Sequence, residues 1–285
     1  MGRIISLISG KGGVGKTMFT ANLGIALSQA GFRVCLVDAD IAMANLSLLL
    51  GMQASPITLH EVLLGEADLN DAIYDGPANV SFVPSGLSLE SYRRVDSDKM
   101  TEIIKPLARQ YDFVLLDSPP GISKDAMSAL AVAEESLMIT MPTSPAIADL
   151  LKVKMVAQRL GNKPLGVVVN CVRREKGEIK DEEIMKMLEL PIYGNIPFDD
   201  SIRKSFLQER VLPVILRESN SKSAKAIRLI AEKLSGVKIA KEKSQPKTGL
   251  LKQSFPEKAE LEREIAKPAP EKKGFFSKIF SFFKR

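Results

Sequence analysis

The chain has 285 residues, 45% of them hydrophobic, enough for one large core or two small ones. A single histidine, His60, and two isolated cysteines, Cys35 and Cys171, exclude histidine triads, histidine metal clusters and a disulfide framework. Chemistry is left to lysine, aspartate, backbone amides and a bound metal. Of the 40 basic and 34 acidic side chains, 13 and 6 fall in residues 238–285, for a net of +7, while residues 1–237 carry a net of −1. A partner that prefers positive charge should therefore meet the tail and not the body.

The apolar run Ile4–Ser9 predicts a first strand that leads straight into a glycine-rich loop, and it reads as a strand rather than a signal peptide. The opening Met1-Gly2 fits an acylation pattern only loosely, and a buried first strand leaves no room for an acyl chain. Then come a helix over Lys16–Ala30 and strands over Val34–Asp38, Ser81–Pro84 and Phe113–Asp117. Further on are a helix over Ser123–Ala133, a strand over Leu137–Met141, a helix over Ser144–Leu160 and a strand over Leu165–Asn170. A helix over Asp181–Leu188, a strand over Ile192–Ile196 and a helix over Ser221–Leu234 complete the series. Gly31 and Gly161 sit where glycine stops helices. Most of these strands are apolar on both faces, so the expectation is an α/β fold with a mostly parallel, doubly wound sheet and helices on each side. Ligands of such sheets bind beyond the carboxyl ends of the strands.

Near Gly236 the composition shifts. Residues 237–273, rich in Lys, Glu, Pro, Ser and Gln, read as a flexible charged linker, and residues 274–285 as a separate element that holds five of the 12 phenylalanines. No stretch approaches the roughly 18 apolar residues of a membrane span.

Gly10-Lys11-Gly12-Gly13-Val14-Gly15-Lys16-Thr17 satisfies the phosphate-loop pattern between a strand and a helix. Its glycines let backbone N–H groups face phosphate oxygens, and the following helix adds its dipole. Lys16 is expected to neutralise β- and γ-phosphate charge and Thr17 to ligate Mg²⁺. Val37-Asp38-Ala39-Asp40 ends the next strand and lies beside the loop if the two strands are neighbours. Asp38 is assigned to the metal shell and Asp40 to orienting the attacking water. Phe113-Val114-Leu115-Leu116-Asp117, followed by Ser118-Pro119-Pro120-Gly121, has the form of a second metal-site strand. In it Asp117 completes the magnesium environment, and Gly121 is a hinge able to respond to the γ-phosphate.

Together these pieces resemble the MinD/ParA branch of the P-loop ATPases, the deviant Walker A family, over residues 3 to about 236. Thr20-Ala21-Asn22-Leu23-Gly24 and Asn45 are supporting matches. The resemblance implies that residues 1–236 form an ATPase domain using ATP and Mg²⁺, slow without an activating partner. It implies that Lys11 reaches across an ATP-bound homodimer to the partner's phosphates, resembling an arginine finger. In the nucleotide-free chain Lys11 needs a carboxylate, for which the family position points to Asp149. Adenine recognition falls to Asn170 and Pro197, a carboxamide suiting the adenine edge. The expected nucleotide-binding run extends to Met18, which departs from the family's usual Thr or Ser.

Within the family, the bound surface separates the members. At 100° per residue Phe275, Phe276, Ile279, Phe280, Phe282 and Phe283 share one face of a helix, and Ser277, Lys278, Ser281, Lys284 and Arg285 the other, an interfacial membrane pattern. The expected function is a cytoplasmic ATPase, peripheral on the inner face of the cell membrane when ATP-bound, that positions the division site or related machinery with an unidentified protein partner or activator. A DNA-partition ATPase is the alternative, disfavoured by the near-neutral body, so nucleic acid is not an expected partner. An iron–sulfur carrier lacks its Cys-x-x-Cys pair, and a bacterial-type tyrosine kinase its tyrosine-rich tail. Flagellar-number regulators share both body and tail and are not separated by sequence.

Overall fold

The computed structural model describes residues 1–52, 55–205 and 212–239. Nearly all of the expected linker and the whole expected tail helix, 274–285, lie outside the described residues. One sheet of eight strands runs through the described chain: β1 (Arg3–Ser9), β2 (Val34–Asp38), β3 (Tyr74–Asp75), β4 (Ser81–Val83), β5 (Phe113–Asp117), β6 (Glu135–Thr140), β7 (Lys163–Val172) and β8 (Ile192–Pro197). Their order is β3-β4-β2-β5-β1-β6-β7-β8, and every pairing is parallel except that of β3 with β4. Among the described residues the five helices of eight or more residues are α1 (Lys16–Gln29), α2 (Lys124–Val132), α3 (Ser144–Arg159), α4 (Asp181–Leu188) and α5 (Lys222–Ser235).

Alternation along the strands divides the core. Leu7, Leu36, Phe82, Leu115 and Ile139 pack on one face with residues of α1 and α5. Val37, Val83, Val114 and Leu116 face the other way, against α2 and the short helices Leu59–Leu63 and Met100–Ile104. Met138, Val167 and Val169 continue that second face under α3 and α4. Because both faces are covered, the strands are apolar on both sides, which is why no alternation shows in their sequence. Helix α1 has no polar stripe. Phe19, Ala21, Leu23, Ile25, Ala26 and Leu27 are all buried, since sheet, α5 and short helices surround it. Helix α5 is amphipathic, burying Ala224, Ile227, Ile230, Ala231 and Leu234. Its cap Ser221 accepts a hydrogen bond of 3.1 Å from the Ala224 N–H, satisfying one of the unpaired donors of the first turn.

All seven expected strands are present. The strand expected from Leu165 instead begins at Lys163, because the register against β6 shifts so that Ser136 pairs with Pro164 and Leu137 with Gly166. Leu165 is the extra residue of a bulge, a place that tolerates proline. Strand β3 has no counterpart in the sequence reading. Its two residues are too few for a periodicity, and Tyr74 is fixed by its hydroxyl, which donates to the Ile57 carbonyl at 2.9 Å. Among the described residues no helix is long and apolar enough to cross a membrane.

Strand β5 lies between β1 and β2, so the conditional expectation that β2 neighbours the loop-bearing strand is corrected. Parallel crossovers need a connection over one face, and here the β1–α1–β2 unit leaves a gap one strand wide that β5 fills. Gly24 allows α1 to approach β2, since a Cβ there would collide with the Leu36 side chain. Gly24→Val is expected to destabilise the protein by roughly 1–3 kcal/mol through overpacking, measured as a lower midpoint in urea with unchanged slope.

Candidate nucleotide-binding site

The loop Gly10–Gly15 leaves the carboxyl end of β1. Gly13 and Gly15 have φ of 79° and 88°, the left-handed region that suits glycine and turns the backbone into α1. Gly10 leaves no space for a Cβ against the backbone of Asp149 and Leu150, so the loop is pressed onto the first turns of α3. Val14 and Met18 are buried, and Thr17 is half-buried at the helix start. The Asn170 Nδ2 donates to the Val14 carbonyl at 2.7 Å, bracing the loop from the end of β7. That NH₂ carries a second hydrogen, so the contact does not exhaust the carboxamide. The next residue, Cys171, has φ 58°, where the β7–β8 register shifts between Val169 and Val172. The bulge turns Asn170 toward the loop. Pro197 ends β8, and the Phe198 N–H donates to the Val172 carbonyl at 2.9 Å, with the Arg173 guanidinium 3.4 Å from the Phe198 ring centre.

Beneath the loop, Lys16 Nζ is 2.6 Å from Asp117 Oδ1, and the two side chains are only 7% and 2% exposed. The Thr20 hydroxyl also donates to Asp117 Oδ1, at 3.1 Å. Asp38 and Asp117 are register partners on adjacent strands, so two buried carboxylates lie side by side, with Lys16 paired to Asp117. Asp38 Oδ2 accepts from the Asn45 and Leu46 N–H groups at 3.2 and 3.0 Å, and Oδ1 from the Asp40 N–H at 3.3 Å. Burial first, and then the charge of Asp117, push the Asp38 carboxyl up to about 8. Asp40 is half-buried at the site's margin, its carboxyl raised chiefly by burial, and it accepts from the Met43 N–H at 3.1 Å. The loop after β5 is tied back by the Gly121 N–H, which donates to the Ser9 carbonyl at 2.8 Å.

Lys11 points elsewhere. Its Nζ is 3.5 Å from Asp149 on α3 and its side chain is 44% exposed. Asp149 also meets Lys152 at 3.0 Å, and that hydrogen bond is the main reason its carboxyl lies below the usual range.

Residues 5–212 match the family of the CobQ/CobB/MinD/ParA nucleotide binding domain. The chain belongs to this family. Among its MinD/ParA relatives, an uncharacterized ATP-binding protein of Methanocaldococcus jannaschii is 40% identical over 234 residues, 82% of this chain and 88% of its own. The solved cell division ATPase MinD of Pyrococcus furiosus superposes with a TM-score of 0.79 at 42% identity, covering 83% of this chain and 99% of that one. The septum site-determining protein MinD of Pyrococcus horikoshii, solved with Mg-ADP, gives 0.79 and 42%, covering 85% and 100%.

In this MinD/ParA chain the donor chemistry of the site fits magnesium. Thr17, Asp38 and Asp117 supply hard oxygens, and Lys16 pairs with only one of the two buried carboxylates. Among the described residues no three His, Cys, Asp or Glu side chains gather into a metal cluster. Mg²⁺ sites of nucleotide-binding proteins use one or two carboxylates together with phosphate oxygens. Sequence reasoning marked Thr20 and Asn22 only as part of a matching stretch and gave neither a role. Asn22 donates to the Met18 carbonyl at 2.7 Å and accepts from the Ile215 N–H at 2.9 Å. Both residues lie in the matched stretch after the loop, so the family signature marked them without disclosing their partners.

The raised Asp38 gives a pH prediction. Between its ordinary value of 3.8 and about 8 the folded chain holds a proton that the unfolded chain has lost, so stability from this group falls as pH rises through that window. The melting temperature of the nucleotide-free protein is expected to decline over this range, and Asp38→Asn to flatten the decline, as read by calorimetry across pH.

Proposed function

We propose that this chain is an ATP-dependent dimerising ATPase that attaches reversibly to the inner face of the cell membrane and regulates where division or related machinery is placed. The observation that carries this reading is the division of labour between the two loop lysines. Lys16 is buried on Asp117, while Lys11 stands outward on an exposed pair with Asp149. An outward cation beside a phosphate loop can reach the phosphates of a second copy, as the family signature implies. The MinD relatives support ATP hydrolysis and division-site placement.

In this reading residues 1–236 are the ATPase domain, 237–273 the tether and 274–285 the membrane element. The phosphates draw Lys16 off Asp117, the loop N–H groups from Gly10 to Thr17 orient them, and Asn170 and Pro197 hold the adenine. Thr17, Asp38 and Asp117 would hold Mg²⁺, which would supply charge to neutralise the phosphates. Asp40 orients the attacking water and accepts its proton as the water oxygen bonds to the γ-phosphorus, while the bond from that phosphorus to the β–γ bridging oxygen breaks and ADP leaves with the electron pair. Lys11 of each copy adds positive charge across the dimer where charge spreads in the transition state.

A tail of five phenylalanines and an isoleucine buries its apolar face only partly, and folding a helix of about 12 residues offsets much of the gain. One tail binds weakly. Two tails on one dimer bind with avidity, so nucleotide controls attachment through dimerisation.

Asp40→Ala is expected to retain ATP binding while turnover falls about 100-fold or more; normal turnover would remove the water-orienting role. With anionic vesicles, sedimentation of the full chain is expected with ATP and lost with ADP, with residues 274–285 deleted, or with Lys11→Ala. Equal sedimentation in all four conditions would sink the proposal.

A further inference from the structure

We propose that His60, the only histidine in the chain, is a positioning residue for the loop that carries Asp40, clamping it through the backbone of the adjacent Ile41. This rests on the water-orienting role assigned to Asp40. His60 is 1% exposed, and its Nε2 lies 2.9 Å from the Ile41 carbonyl oxygen. A carbonyl can only accept, so Nε2 carries the hydrogen and the ring is held in that tautomer.

The other ring nitrogen, Nδ1, is buried with no hydrogen-bond partner among the described residues. It faces Gly86, where an added Cβ would stand 2.5 Å from it. A protonated ring would bury an N–H with nothing to receive it, so the site holds the neutral imidazole, and burial lowers its affinity for a proton accordingly.

The clamp is fixed to the sheet. His60 sits in the short helix Leu59–Leu63, whose start is locked by reciprocal bonds. The Thr58 N–H donates to Glu61 at 2.8 Å, and the His60 N–H to the Thr58 hydroxyl at 3.2 Å. The Leu59 N–H donates to the Pro84 carbonyl just past β4, at 2.8 Å. On the other side of Asp40, the Ala39 N–H donates to the Asp117 carbonyl at 3.1 Å. Asp40 is therefore bracketed, with β5 holding the residue before it and His60 the residue after it. Ala39 is held by a backbone bond, whereas the Ile41 carbonyl is held by one side chain, with the Ile41 side chain itself buried in the core. A displacement of about 1 Å in a reacting group can cost about 100-fold in rate, so loss of the clamp should act on cleavage and not on binding.

The test uses the full-length chain, with single-turnover ATP cleavage at saturating ATP and the dissociation constant of a fluorescent ATP analogue measured side by side. Glutamine can place an N–H where Nε2 was, and asparagine is too short. His60→Asn is expected to slow cleavage about tenfold with affinity within about twofold, and His60→Gln to stay within about threefold of the parent. Equal rates for the two amides, or a loss of affinity equal to the loss of rate, would overturn the clamp. If His60→Asn does not fold, Gly86→Ala takes its place. It crowds Nδ1 while leaving the donor intact, and the same tenfold fall is expected, with the parent rate overturning the inference. Asp40→Ala in the same assay separates the two readings. Parent-like cleavage there removes the role of Asp40 itself, whereas inactive Asp40→Ala beside parent-like His60→Asn removes only the role of His60.

Discussion

Two buried carboxylates side by side, with one lysine paired to only one of them, is the constraint on which the rest of this structure depends. Asp38 and Asp117 sit side by side because β2 and β5 pair in register, and Lys16 reaches only Asp117 closely. Charges this deep are expensive unless paired and hydrogen-bonded. The surroundings supply donors accordingly, with three backbone N–H groups on Asp38 and the Thr20 hydroxyl on Asp117. Burial and mutual repulsion still leave the Asp38 carboxyl favouring its proton. A divalent cation would invert that preference.

The same cluster explains why the periphery is braced. The loop after β1 is held by Asn170 from β7, by α3 under Gly10, and by Ser9, which accepts from the Gly121 N–H after β5. Helix α1 is held at Asn22 by the Ile215 N–H. Each brace comes from a different element, so a shift in one strand-end loop is felt by the next. The segment around Gly121 is therefore tied to the strand that bears the phosphate loop, and the segment before Asp40 is tied to β5 by the Ala39 N–H.

Much of this could be read from the chain. The strand–glycine loop–helix sequence, the aspartates at strand ends and the both-face apolar runs led to the fold and to the main site positions. Two things were not legible. Strand order was one: nothing in the segments Val34–Asp38 and Phe113–Asp117 reveals that β5 inserts beside β1, because that is decided by the crossovers and the packing of both faces. Side-chain partnership was the other. Lys16 on Asp117, Thr20 on the same oxygen and His60 on Ile41 join residues separated by 101, 97 and 19 positions, and no local pattern encodes such distances. Strand β3 escaped for a simpler reason, its two-residue length. The tail helix expected over 274–285 lies outside the described residues.

Lys11 is held lightly. Its carboxylate is shared with Lys152, the contact is longer than that of the buried pair, and water reaches both partners. Exposed pairs of this kind are weak and screened by salt. A lysine so held stays near the loop, rather than sweeping a wide volume, yet offers almost no barrier to departure. The position acts as a cradle and not a latch, so ordinary salt competes with it as readily as a stronger anion would.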